Sequence, residues 1–217
     1  TRPEAECLVF RDRKLTWSEV TDRTRRLANF LNDRGYGCHT ERADLAQQES
    51  GQDHLAIYLH NGNEYLECML GAFKGRVAPF NVNYRYVAHE LEYLFDNSDS
   101  EVVIFERGFT PVIDEIRSKL TKVRTFVVME DGSDHPTPWA QSYDELVNAQ
   151  SDAAFKNGRT GDDLYFLYTG GTTGMPKGVM WRHEDIFFAA LSSALGARIT
   201  SPEEIGERSL PADFALP

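Results

Sequence analysis

The sequence predicts an α/β protein: layered, with a mostly parallel sheet of doubly wound type covered by helices on both faces. Three observations carry this. Short runs that are apolar throughout recur at "LAIYL" (55–59), "VVIF" (102–105) and "TFVVM" (125–129), the pattern of strands buried on both faces. The stretches between them space their apolar residues as amphipathic helices do. The two kinds of segment alternate along the chain, which is the order of crossover-connected parallel strands.

Taken in order, residues 7–10 and 15–16 read as two short strands around the polar turn "RDRK". A helix follows. Thr16 and Glu19 have capping-box spacing, and Val20, Leu27, Ala28 and Leu31 share a face. Gly35 and Gly37 end it. Residues 38–54 are polar and aperiodic and are expected to form a surface insertion. After the strand at 55–59, residues 63–74 predict a helix with Leu66, Met69, Leu70 and Phe73 turned inward. "VAPF" (77–80) is a strand, and 89–96 a helix burying Leu91, Leu94 and Phe95. A strand at 102–105, a helix over 110–120 and a strand at 125–129 complete the alternation. Residues 130–162 are expected to cross the surface, with a short helical piece at 143–147. "LYFLY" (164–168) is a strand of high β propensity, and "GVMW" (178–181) a returning one. Residues 183–197 predict a helix with Ile186, Ala189, Ala190 and Ala194 on one side, and residues 198–217 are expected to be weakly structured.

The 217 residues are 41% hydrophobic and 26% charged, with a net charge of −11. That is enough apolar material for a sizeable core. The acidity argues against nucleic acid and anionic membrane as partners, but leaves room for a local basic pocket and an anionic small substrate. Cys7, Cys38 and Cys68 have no metal or disulfide spacing, so reduced thiols, no metal site and a cytoplasmic location are expected. No run approaches the ~20 apolar residues of a membrane span, and no leader pattern opens the chain.

The chemistry is concentrated in "YTGGTTGMPKGVMW" (168–181). Gly170, Gly171 and Gly174 let a backbone bend closely around an anion. Thr169, Thr172 and Thr173 add hydroxyl donors, and Lys177 adds a mobile positive charge behind Pro176. The parts suit a polyphosphate. The common P-loop is excluded, because it has Gly before its Lys and Ser or Thr after, whereas Pro176 and Gly178 flank Lys177. The segment after the loop also reads as a strand, not a helix.

Strand, "YTGGTTGMPKGVM" and a following His resemble the signature loop of the adenylate-forming enzymes: acyl-CoA synthetases, adenylation domains of peptide synthetases and luciferases. Gly170 stands where Ser is usual. "LTWSEVTDRTRRLANFLNDRGYG" and "AIYLHNGNEYLECMLGAFKGRVAPFNVNYRY" resemble the family's early helix and first strand–helix–strand unit. The phrases "NVNYRYVAHELEYLFDNSD" and "VVMEDGSD" look like actinobacterial fatty-acid or steroid side-chain CoA ligases.

The resemblance implies ATP-dependent activation of a carboxylic acid, first to an acyl-adenylate with Mg²⁺ assistance and then to the CoA thioester. It implies that Thr169, Gly170, Gly171, Thr172, Thr173 and Gly174, within a loop over 169–178, contact the β- and γ-phosphates, supported by Lys177. His183 either stands near the site or starts a helix that positions the loop. Trp181 and Arg182 either face substrate or pack on the strand. The 38–54 insertion either binds a partner or is a solvated elaboration.

The family's adenine pocket, acyl tunnel and small mobile C-terminal domain with its adenylating lysine have no counterpart here, Lys177 being the last lysine. The chain is therefore expected to be a partial N-terminal domain, whether by engineering, proteolysis or gene truncation. Expected too are no residue in a catalytic role, no adenylating activity alone, and self-association through exposed sheet surface. Transfer to a carrier-protein thiol instead of CoA, and a free-standing nucleotide-binding module, stay open as other readings.

Overall fold

The computed structural model describes residues 2–46, 48–154, 157–169, 175–196 and 204. It opens with an antiparallel hairpin of β1 (Glu6–Phe10) and β2 (Arg13–Thr16), whose turn holds Arg11 at φ 55°. α1 (Trp17–Asp33) follows. The Thr16 hydroxyl accepts from the Glu19 N–H at 3.2 Å, and the Glu19 carboxylate takes the Thr16 N–H at 2.7 Å. The expected face of Val20, Leu27, Ala28 and Leu31 is buried, joined by Thr24 and Phe30.

The main sheet contains β3 (His54–Tyr58), β4 (Ala78–Asn81), β5 (Ser100–Glu106), β6 (Thr125–Met129), β7 (Gln141–Ser142), β8 (Leu164–Thr169) and β9 (Lys177–Arg182). Their order is β7-β6-β5-β3-β4-β8-β9. Every pairing is parallel except β8 with β9. The chain enters at the centre, steps from β3 to β4, crosses back to β5 and walks out to β7. It then returns to β8. This reversal puts helices on both faces. α2 (Asn63–Gly75) and α5 (Tyr143–Ala149) join α1 on one face, and α3 (Ala88–Asn97) and α4 (Thr110–Ile116) cover the other. β3 shows why its run is apolar throughout: Leu55 and Ile57 enter the first core, Ala56 and Tyr58 the second. The last described helix is α6 (His183–Leu195).

Five expectations need correction. The inward face of α2 is only partly the one its large apolar residues predict: Met69 packs against the first core, but Leu66 and Leu70 do not. Leu66 is 41% exposed and Leu70 37%, while Glu67, Cys68, Gly71, Ala72 and Gly75 are buried. Small residues let α2 lie directly on α1; a Cβ at Gly71 would sit 2.6 Å from Leu27 Cδ2. Glu67 is tolerated there because Arg23 Nε donates to it at 2.7 Å and the Tyr143 hydroxyl at 3.1 Å. α4 is shorter than expected, ending at Ile116 before a 3₁₀ turn over Arg117–Lys119. Residues 38–54 are not all at the surface. Cys38 bridges Gln52, and Gln52, Asp53 and His54 are buried where the segment runs into β3. Within 130–162, β7 extends the sheet and α5 buries Tyr143 and Val147 in the first core, because the crossover to β8 must cover that face. On α6, Ile186, Ala189 and Ala190 are exposed rather than packed. The expected final stretch, 198–217, lies outside the described residues apart from Glu204.

Candidate functional site

β8 and β9 form a regular hairpin, with Thr169 opposite Lys177 and Tyr168 opposite Gly178. Their ends define the mouth of the glycine-rich loop; Gly170, Gly171, Thr172, Thr173 and Gly174 lie outside the described residues. Thr169 and Lys177 are both exposed, and Pro176 beside the lysine is buried. A hydroxyl and an ammonium group thus flank the mouth, at the carboxyl edge of the parallel strands. Ligands in open α/β sheets bind at that edge.

The hairpin is shaped from behind. The Tyr168 ring lies 5.2 Å from that of Phe80, and its hydroxyl donates to Asn97 Oδ1 at 3.2 Å. Burial pushes its phenol up to about 12. The ring crosses the strand pair so closely that a Cβ at Gly178 would lie 2.7 Å from it. Gly178 is therefore required by packing under the loop, a role that its place in a glycine-rich motif conceals.

His183 starts α6, six residue steps along β9 from Lys177 and so about 20 Å away. Its backbone N–H donates to Asp163 O at 2.8 Å, and its ring meets Phe73 edge-on at 4.2 Å. Burial lowers its pKa. His183 thus stands at the opposite end of β9 from Lys177. Trp181 is 38% exposed, and Arg182 pairs with Asp162 and Asp185.

A charged network at the hairpin's base was not singled out from the sequence. Arg76, 5% exposed, caps α2 in the left-handed region at φ 58°. Its guanidinium donates to Glu41 at 2.7 and 2.8 Å and to Asp163 at 2.8 and 3.0 Å. Glu41, then Asp163, hold it charged. The Gln52 amide bridges Arg76 O and Leu164 N. The 38–54 segment, the end of α2 and the start of β8 are thereby locked together. The only sequence signal was an arginine where the chain turns out of a helix.

Chemically, the mouth suits a polyanion. Among the described residues no group of three or more His, Cys, Asp or Glu could hold a metal ion. Also among them, no helix is long and apolar enough to cross a membrane.

The family model for AMP-binding enzymes matches residues 1–210. The chain belongs to the AMP-binding enzyme family. It is 43% identical over 211 residues to the medium-chain acyl-CoA ligase Mig of Mycobacterium avium, covering 95% of this chain and 38% of that protein. It is 39% identical over 187 residues to the 3-oxocholest-4-en-26-oate–CoA ligase of Rhodococcus rhodochrous, covering 85% and 31%. The chain thus spans well under half the length of these AMP-binding relatives. Among solved structures, the N-terminal domain of FACL13 from Mycobacterium tuberculosis superposes with a TM-score of 0.69 at 27% identity, over 84% of this chain and 41% of that one. The anthranilate CoA ligase AuaEII, solved with anthranoyl-AMP, shares the fold with a TM-score of 0.74 at 21% identity, over 89% and 34%.

Proposed function

We propose that this chain is the N-terminal part of an ATP-dependent acyl-CoA ligase that activates a fatty or steroid side-chain acid through an acyl-adenylate to the CoA thioester. The observation that carries the reading is the β8–β9 hairpin, whose Thr169/Lys177 mouth opens at the carboxyl edge of the sheet in a chain 43% identical to a medium-chain acyl-CoA ligase. Thr169, the loop residues 170–174 and Lys177 would hold the β- and γ-phosphates of ATP, with Mg²⁺ entering as part of the MgATP substrate. Charge growing on the departing pyrophosphate would meet donors already in place. Lys177 suits this, being a point charge on a flexible stem. Residues 38–54 belong to the same proposal as an elaboration specific to this chain, and 130–162 as the crossover that returns to β8. A cytoplasmic location completes it.

The isolated chain is expected to give no pyrophosphate exchange with fatty or steroid acids, because its phosphate grip serves chemistry performed by other parts of such enzymes. Exchange above background would overturn the fragment reading. When the chain is carried within a complete ligase, Lys177→Ala should lower kcat/KM for medium-chain acyl-CoA formation about 10²-fold or more. A complete protein that makes no acyl-CoA from either acid class would overturn the ligase reading.

A further inference from the structure

A second cleft opens at the same sheet edge, on the far side of β4 from the loop, and it is independent of the ligase reading. It lies between the ends of β3 and β5, whose connections leave for opposite faces, which is the switch point where open α/β sheets form crevices. Its volume is about 590 Å³.

Its floor is Asn63, the first residue of α2. The side chain is 1% exposed, and neither Nδ2 nor Oδ1 meets a partner among the described residues. A buried amide with donor and acceptor both unpaired is costly and calls for an explanation. Beside it, the N-cap of α2 is Gly62, which has no side chain to cap the first backbone N–H groups.

The two walls differ in charge. On one side the β1–β2 turn carries Arg11, held at φ 55° and stacked 5.2 Å from the Phe10 ring centroid, with no carboxylate partner among the described residues. On the other stand Glu106, Glu130 and Asp131, from the ends of β5 and β6, with His60 hydrogen-bonded to Glu106 and Arg107 paired with Glu130; Arg13 and Glu64, also in the lining, pair with each other.

We infer that this cleft binds a small zwitterion of the α-amino acid class. Its carboxylate would lie against Arg11, the α2 N-terminus and Asn63 Nδ2; its ammonium group would lie against Asn63 Oδ1 and the acidic wall. The Asn63 amide offers a donor beside an acceptor, so it matches a ligand with opposite charges on neighbouring atoms. A simple anion would face Asp131 together with Glu106 and Glu130, which His60 and Arg107 only partly satisfy. A simple cation would face Arg11 and the positive end of a helix dipole.

The test is an NMR titration of the isotope-labelled chain with glycine, and separately with acetate and methylammonium at constant ionic strength. It reads the Asn63 side-chain amide and the backbone amides of 62–65. Saturable shifts with glycine, at least about tenfold tighter than with either half-molecule, are expected. Arg11→Gly suits a positive φ and should keep the fold, yet weaken glycine binding about tenfold. The absence of saturable shifts overturns the assignment. So does acetate binding as tightly as glycine, or an Arg11→Gly chain, folded by its spectrum, that binds like the parent.

Discussion

Glu101 enters β5 at the amino-terminal edge of the sheet, where its carboxylate accepts the His54 N–H at 2.7 Å. Asp53 stands beside it, paired with Arg124 at 2.7 Å and His39 at 2.6 Å. Burial, reinforced by repulsion from Asp53, raises Glu101 from 4.5 to about 7. Between those values the folded chain holds a proton that the unfolded chain has lost, so this group's contribution to stability falls as pH rises through that window. Glu101→Gln keeps the acceptor and removes the charge. Its melting temperature should exceed the parent's at pH 8, with the gain shrinking by pH 5; a gain of the same size at both would refute this account. Nothing in "SEVVIFE" announces such a group. Proximity to Asp53 comes from the pairing of β3 with β5, 47 residues apart at His54 and Glu101. Lys177 and Thr169 are the opposite case, since their side-by-side placement follows from a hairpin whose strands and loop were all written locally.

At the scale of elements, the capping box of α1 was legible because all its atoms lie within one turn. The packing of α2 was not. Its large apolar residues define one face, but its small residues define another, and only contact with α1 decides between them. Gly71→Ala should therefore destabilise the chain by about 1–3 kcal/mol in urea unfolding, because the methyl group is driven into Leu27. In a cycle with Leu27→Ala the two changes should be non-additive, since they share one contact. Thr16→Ala should cost about 1 kcal/mol and add simply to Gly71→Ala. Additivity of Gly71→Ala with Leu27→Ala would show that the close approach of α1 and α2 is not what requires the glycine. α5 was legible as a helix, but its membership of the core was hidden, because that depends on the sheet face it must cover.

For the molecule as a whole, the displaced face of α2 has a consequence. Met69, Phe73, Tyr165, Ile186 and Phe187 line an open apolar groove between α2 and α6. Leu66 and Leu70 are exposed on α2, and Val179 and Trp181 on the edge strand β9. Exposed apolar surface of this kind favours association. Light scattering should show mass rising with concentration, and an apolar-surface dye should bind; Leu70→Lys with Phe187→Lys should reduce both. A monomer at all concentrations that binds no dye would exclude the self-association.

By itself the sequence determined the class of fold, the identity of nearly every strand and helix, and the loop on which the proposed function rests. Each of these is encoded within a few neighbouring residues, as periodicity, caps or a contiguous motif. Tertiary structure alone decided which face of α2 is buried, that Arg76 ties residues 38–54 to the base of the loop hairpin, that His183 stands at the far end from the loop, and that Asn63 floors a second cleft. These depend on residues far apart in the chain meeting through the strand order β7-β6-β5-β3-β4-β8-β9, and local pattern carries no information about such meetings.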